Sequence, residues 1–427
     1  MAAQIRREER IAQNIDWVTV LLFAVMVTAG WLNIFAAVYD TQVEQNIFDM
    51  DISSGKQLLW IGTTILIITM IMAIDYKFYD SFAYVLYGLM MLVLVGVLIG
   101  GKVVAGSKSW IGVGGFGIQP SEFAKFACAL AVAKYLSLPS VRLDRSNHLA
   151  IVCGIIGLPA LLILLQNDTG STLVFSAFII VLYREGLSPV YPVLGITVVA
   201  LFILTLLVPQ LYLIIGLVVL AIILILLANK TVRNILVIVG SLLIVIAVVM
   251  GVDFFVNEVL QPHQQNRIKA LINPGGDPLG YGWNVTQSKI AIGSGGFWGK
   301  GFLEGTQTKF DFVPEQSTDF IFCTIGEEHG WLGSLFLLAA FIGLLMRIVF
   351  LAERQKSKFA RVYGYSVASI LFFHMMVNVG MTIGLFPVIG IPLPFFSYGG
   401  SSLWAFTILL FILLKLDAHR TQILNRY

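Results

Sequence analysis

Apolar residues run along this chain in blocks of about twenty, separated by short polar stretches, and the blocks recur from one end to the other. A block of that length is what an α-helix needs to cross a hydrocarbon core of roughly 30 Å. The pattern predicts about twelve spanning helices, at 17–39, 57–75, 82–100, 121–137, 148–165, 170–187, 189–207, 211–228, 234–252, 318–349, 361–385 and 401–416. The sixth is weak, because Arg184 and Glu185 interrupt its end. The tenth and eleventh are long enough to call for tilt or a kink.

Composition agrees with a bilayer. Hydrophobic residues make up 58% of the chain and charged residues 12%, about half the charge of a soluble domain. The expected fold class is therefore an all-α polytopic integral membrane protein, one transmembrane domain over residues 1–427. Its orientation follows from Lys and Arg, which concentrate on cytoplasmic loops. With the N-terminus inside, Arg347, Arg354, Lys356, Lys358 and Arg361 fall together on the inner side, and both termini are cytoplasmic. A net charge of +3 then gives no reason to expect a nucleic-acid partner. Cys128, Cys153 and Cys323 all sit in apolar segments, as packing residues do. The first apolar run is too long for a cleaved signal and is read as an uncleaved span.

Only two outer connections are long enough to hold a site. Residues 101–120 are glycine-rich around Trp110, and 253–317 form a large extracytoplasmic loop. Within that loop 283–292 reads as a short amphipathic helix, and the glycines of 293–305 predict tight turns or a dip back toward the membrane. The segment from Gly101 to Lys108 fails as a phosphate loop, since Ser107 stands where the lysine belongs.

Charged residues in the apolar blocks need a reason, because an Arg, Lys or Asp at mid-helix costs about 2.5–3.5 kcal/mol to insert. Glu122 and Lys125 lie three apart at the outer start of the fourth span, so they share a face. They form either a structural ion pair or the lining of a cavity in which Lys125 receives an anionic headgroup such as a diphosphate. Asp168 precedes Thr169 and Gly170 and suits a helix cap; Thr318 or Asp319 could cap the tenth span. Glu327 and Glu328 lie two to three turns inside that span. His374 and Asn378 share a face of the eleventh, where hydrogen bonding between helices is the default. Asp277, in Pro274-Gly275-Gly276-Asp277-Pro278, is by local sequence a turn residue. A carboxylate beside an apolar mouth can also serve as general base for a sugar hydroxyl.

Taken together, the outer motifs resemble the RodA/FtsW family of shape, elongation, division and sporulation proteins, RodA most closely. They are Lys108-Ser109-Trp110-Ile111, Gln119-Pro120-Ser121-Glu122 with Lys125, Gly276-Asp277-Pro278-Leu279-Gly280, and Gln287-Ser288-Lys289-Ile290-Ala291-Ile292-Gly293. Gly299-Lys300-Gly301, Gly305-Thr306-Gln307, Thr318-Asp319-Phe320, Glu327-Glu328 and Gly390-Ile391-Pro392-Leu393-Pro394 through Ser401 follow in the same order.

The resemblance implies a peptidoglycan glycosyltransferase that joins lipid II units into glycan strands at the outer face of the cytoplasmic membrane, for elongation and shape. Asp277 matches the family's essential acid and is the implied general base. Glu122 and Lys125 match cavity-lining positions, and Asp168 another acidic one. Lys108, Trp110, Gln287, Ser288 and Thr306 are implied to face substrate. Lys125 with Lys289 or Arg267 would steady the diphosphate by charge, a task that a divalent cation, Mg or Mn, would share. Implied partners are a class B penicillin-binding protein, which is the transpeptidase, and other elongation-complex proteins. A lipid II flippase or a scaffold for the transpeptidase are the alternatives. Two features depart from the family: twelve spans against its usual ten, with the surplus hairpin inside 189–252, and Asn167 where proline is common.

Overall fold

A computed structural model of the protein describes residues 14–39, 46–104, 106–113, 116–227, 231–254, 256, 258, 265, 281–310 and 312–420. The chain forms α1 (Trp17–Val38), α2 (Ser53–Ala73), a short α3 (Tyr76–Ser81) and α4 (Ala83–Gly100). An antiparallel sheet follows, in the order β1 (Lys102–Val104), β2 (Ser107–Val113), β3 (Phe116–Ile118). There follow α5 (Pro120–Leu136), α6 (Ser146–Leu165), α7 (Thr169–Val174) and α8 (Phe178–Arg184), then α9 (Val190–Leu207), α10 (Gln210–Leu227) and α11 (Val232–Phe254). The last stretch holds α12 (Tyr281–Ser294), α13 (Thr306–Lys309), α14 (Ile321–Glu328), α15 (Gly330–Glu353), α16 (Lys358–Thr382) and α17 (Gly400–Ala418).

Ten of these helices are long and apolar enough to cross a membrane, and the chain is a multi-pass, all-α membrane protein. The fourth predicted span is the 17-residue α5. The sixth is broken: a 3-10 turn at Phe175–Ala177 divides α7 from α8. The charges that weaken it are tied down at its end. Arg184 donates to Glu353 Oε1 at 2.9 Å, and Glu185 accepts from Arg361 at 3.2 Å.

Two compact units make up the chain, Met1–Leu187 with Asn284–Tyr427 and Ser188–Trp283. The smaller contains α9, α10 and α11, in which only 6% of each apolar window is buried; such faces suit lipid tails. In the larger unit α16 and α17 have 72% and 89% of theirs buried, and α5 is buried along most of its length. These three helices pack on one another at the centre. Lipid tails are as apolar as leucine, so close packing and interior hydrogen bonds hold such helices together. Tyr363 on α16 donates to the carbonyl of Leu409 on α17 at 3.1 Å. Asn378 donates to the carbonyls of Asp319 and Ile391, each at 2.8 Å. Hydrogen bonding between elements is what its position on the helix face predicted.

The long tenth span is not one helix. It begins late, at Ile321, with Phe320 at the cap position and no side-chain cap bond; Thr318 does not cap it but donates to Glu315 Oε2 at 3.0 Å. It then breaks at His329, because Gly330 takes φ +65°, which no α-helix continues through. A broken helix exposes carbonyls on one side and N–H groups on the other. The glycine-rich stretch before it satisfies both. Lys300 and Gly301 donate their backbone N–H to the carbonyls of Glu327 and Glu328, at 3.1 and 2.9 Å. The carbonyls of Gly296 and Phe297 accept from Trp331 and Leu332, at 2.9 and 3.2 Å. Backbone must approach backbone closely for this. A Cβ on Gly299, itself at φ +82°, would lie 2.1 Å from the Glu328 carbonyl oxygen.

Gly299→Ala meets both a left-handed backbone and a fixed carbonyl, so it is expected to destabilise the protein by about 1–3 kcal/mol. Thermal unfolding of the variant in detergent checks this. An unchanged midpoint would show that the break is held by something other than this close approach.

Candidate functional site

α5 starts with Pro120 at its first turn, a position where the missing N–H costs nothing. Glu122 sits in that same turn, where the helix dipole favours an anion. Lys125 is one turn further. The two side chains meet at 2.7 Å, and they are only 2% and 1% exposed. Such burial is tolerable because every charge has an answer. Lys125 Nζ lies 2.7 Å from Glu122 Oε1 and 2.9 Å from His374 Nε2, with the Phe406 ring 5.3 Å away. Glu122 Oε2 is the exception, buried without a hydrogen-bond partner.

Asp168 joins the same helix end. Its Oδ1 accepts from Ser171 N at 2.9 Å, which is the cap predicted for α7. Its Oδ2 accepts from Gln119 Nε2 at 2.9 Å and from Ser121 Oγ at 3.3 Å, next to Glu122 in sequence. Asn167 before it has φ +61°, a conformation that proline cannot adopt and asparagine tolerates. The turn preceding Asp168 is therefore shaped by the asparagine that departs from the family pattern.

The sheet leans on this turn. Lys108 N and Ser107 Oγ both donate to the Gln166 carbonyl, at 2.9 and 3.0 Å. The Lys108 ammonium donates to the Ile99 carbonyl at 3.1 Å. Trp110 on β2 packs against Gly117, where an added Cβ would come within 2.9 Å of the indole.

A second group of expected site residues gathers where α12 meets the end of α16. Ser288 donates to the Thr382 carbonyl at 2.9 Å. Lys289 is exposed and runs across Gly384, at φ +78°, so that its Cε occupies the space of a Cβ there. Gln287 is half-buried beside them. Thr306 belongs to a different cluster. Its N–H donates to Glu327 Oε1 at 2.8 Å, as does that of Gln307 at 2.9 Å, while Thr308 N donates to Oε2 at 3.0 Å. Lys300 Nζ closes the cradle at 2.7 Å from Glu327. Glu327 thereby anchors the loop that caps the α14–α15 break.

Glu122, Lys125 and Asp168 thus come together with the Lys108 backbone; Ser288 and Lys289 stand at the other end of α16 from its start at Lys358, and Thr306 is held apart. Asp277 and Arg267 lie outside the described residues. Among the described residues no three His, Cys, Asp or Glu side chains converge on a point where they could ligate a cation. The role of Lys300 and the contact of His374 with Lys125 were not legible beforehand. Lys300 stands in the Gly299-Lys300-Gly301 motif, but nothing in its spacing pairs it with Glu327.

A sequence model of the FtsW/RodA/SpoVE family, described as "Cell cycle protein", matches residues 16–212 and 183–422. Peptidoglycan glycosyltransferase MrdB of Escherichia coli (strain K12) is 35% identical over 364 residues, 84% of each chain. Peptidoglycan glycosyltransferase RodA of Treponema pallidum (strain Nichols) is 32% identical over 394 residues, 86% of this chain and 89% of the relative. Among solved structures, a chain of a peptidoglycan synthase complex, in which polymerization and crosslinking are coordinated, matches with TM-score 0.69. It is 26% identical and covers 96% of this chain and 99% of its own. Rod shape determining protein RodA of Thermus thermophilus shares the fold, with TM-score 0.61 at 24% identity over 95% of this chain and 97% of its own.

Removing Lys125 alone strands a buried carboxylate, which typically costs about 3–5 kcal/mol. Lys125→Met is therefore expected to lower the unfolding midpoint sharply, and Glu122→Gln/Lys125→Met to recover most of the loss. Additive destabilisation in the double variant would mean that the pair is not the compensating unit.

Proposed function

The chain belongs to the FtsW/RodA/SpoVE family, and from that premise we propose that it is a peptidoglycan glycosyltransferase that polymerises lipid II. The observation that carries this is its 35% identity to a peptidoglycan glycosyltransferase across 84% of both chains. The buried, paired charge at the start of α5 supports it. A lipid-linked sugar diphosphate needs cationic and polar groups within the membrane, and the ion pair at the start of α5 supplies such groups.

Asp277 is the general base in this reading. It takes the proton from the acceptor sugar hydroxyl while that oxygen attacks the anomeric carbon bearing the lipid diphosphate. Lys125 receives the diphosphate and balances its charge as it leaves, with Glu122 fixing the ammonium. Asp168 acts on the geometry by clamping Gln119 and Ser121 at the helix start. Lys289, Lys108, Arg267, Trp110, Gln287, Ser288 and Thr306 are proposed to line the path of the sugars and diphosphate.

The polymer leaves on the outer face. Arg184, Arg347, Arg354, Arg361, Lys415 and Arg420 lie at the opposite ends of α8, α15, α16 and α17, and the bias of Lys and Arg toward cytoplasmic segments supports reading those ends as the cytoplasmic ones. A class B penicillin-binding protein is the proposed partner, since the similar solved chain comes from a complex that couples polymerization to crosslinking.

The decisive assay is glycan-strand synthesis from lipid II by the purified protein with its transpeptidase, comparing wild type with Asp277→Asn. Loss of a general base is expected to slow the reaction by about 10²–10⁴-fold while leaving the protein folded. Equal polymer from both proteins would remove Asp277 from the mechanism, and no polymer from the wild type would remove the polymerase reading.

A further inference from the structure

We propose that His374 is a positioning residue for lipid-diphosphate binding: it fixes the Lys125 ammonium through Nε2 and is itself fixed through Nδ1 to the Pro392 carbonyl. The proposal rests on the reading of Lys125 as the group that receives the diphosphate.

The hydrogen-bond pattern allows one assignment of the ring. A carbonyl oxygen only accepts, so Nδ1, at 3.1 Å from Pro392 O, carries the proton and donates. Nε2 is then left bare and accepts from Lys125 Nζ at 2.9 Å. With 0% exposure, neither nitrogen can turn to water instead. The ring also stands edge-on to Phe406 at 4.8 Å between centroids, and Lys125 lies 5.3 Å from the same ring. The ammonium is thus held on three sides, by Glu122 from its own helix, His374 from α16 and Phe406 from α17.

These holders differ in what they fix. Glu122 shares α5 with Lys125 and follows wherever that helix goes. His374 is 249 residues away in sequence and ties the ammonium to another element. Its own anchor is rigid. The carbonyl before Pro392, that of Ile391, accepts from Asn378 at 2.8 Å. On the other side Leu393 N donates to Ser397 Oγ at 2.8 Å, and that hydroxyl donates to the Thr318 carbonyl at 2.6 Å. Residues 391–397 therefore hold the imidazole still, and the imidazole holds the cation.

Three substitutions separate the two nitrogens. His374→Gln puts an amide oxygen where Nε2 accepts; His374→Asn keeps a donor where Nδ1 points and loses the acceptor; His374→Phe fills the volume alone. The assay is lipid II polymerisation by the protein with its transpeptidase, read as KM and kcat, with thermal midpoints alongside. For Asn and Phe, KM for lipid II is expected to rise about tenfold or more, as displacement of a positioned group does, with kcat falling too because the same ammonium balances the leaving diphosphate; Gln should stay near wild type. A fall in kcat at constant KM, tracking a lower midpoint, would reduce His374 to a folding role and overturn the proposal. So would wild-type KM in all three variants, or an Asn variant that works while Gln fails. If the wild type makes no polymer, the polymerase reading falls and direct lipid II binding in nanodiscs decides: the same ranking of Kd upholds positioning by His374, and equal Kd values overturn it.

Discussion

A charge inside a membrane bundle must find its counter-charge before the helices around it can close. Lys125 and Glu122 are nearly inaccessible, and lone ions at such depth cost several kcal/mol each. Pairing them along one helix face reduces that cost without borrowing a second chain. The third bond, from Lys125 to His374 on α16, makes the pair a contact between helices. The central packing of α5, α16 and α17 is therefore built around a polar point that must be satisfied. A core of leucines would pack as well and offer nothing to a diphosphate. The unpartnered Glu122 Oε2 is the one acceptor left over at this point.

A second device gives the bundle irregular backbone at a polar site. Breaking the tenth span at Gly330 frees N–H and carbonyl groups, and the glycine-rich stretch over residues 296–301 takes both sets. Glu327 then reaches back to fix residues 306–308 through their N–H groups. Loop and broken helix hold each other, so neither depends on water. At the opposite end, Arg354 pairs with Asp417 and Arg347 with Asp16, joining α1, α15 and α17. One end of the bundle is tied by ion pairs, and the other by backbone exchange and the Lys125 contacts.

Much of this was legible beforehand, for reasons that can be stated. Spans announce themselves because twenty apolar residues have few other uses, so α5 was placed within a residue of its observed start; the amphipathic pattern at 283–292 placed α12 within two residues of its ends. The Glu122–Lys125 pair was visible because three residues along a helix bring side chains to one face. The length of the tenth span called for tilt or a kink, but the place of the break at His329 was not legible, since Gly330 is one of 40 glycines and its positive φ shows only in the structure. The sheet in 102–118 was hidden by glycines that read as loop. The His374 contact spans most of the chain, and no local pattern carries it. Asn167 shows the converse: a departure from a family pattern, noted as a substitution, turns out to be a left-handed turn that proline could not make.

The claim that the paired charge at the start of α5 receives a lipid-linked diphosphate is tested most directly by an electron cryo-microscopy structure of the protein in nanodiscs with lipid II bound. The diphosphate is expected beside Lys125, with an oxygen in hydrogen-bond reach of its ammonium and His374 still on the Pro392 carbonyl. Lipid II bound with its diphosphate away from α5, and the Glu122–Lys125–His374 contacts untouched, would contradict it.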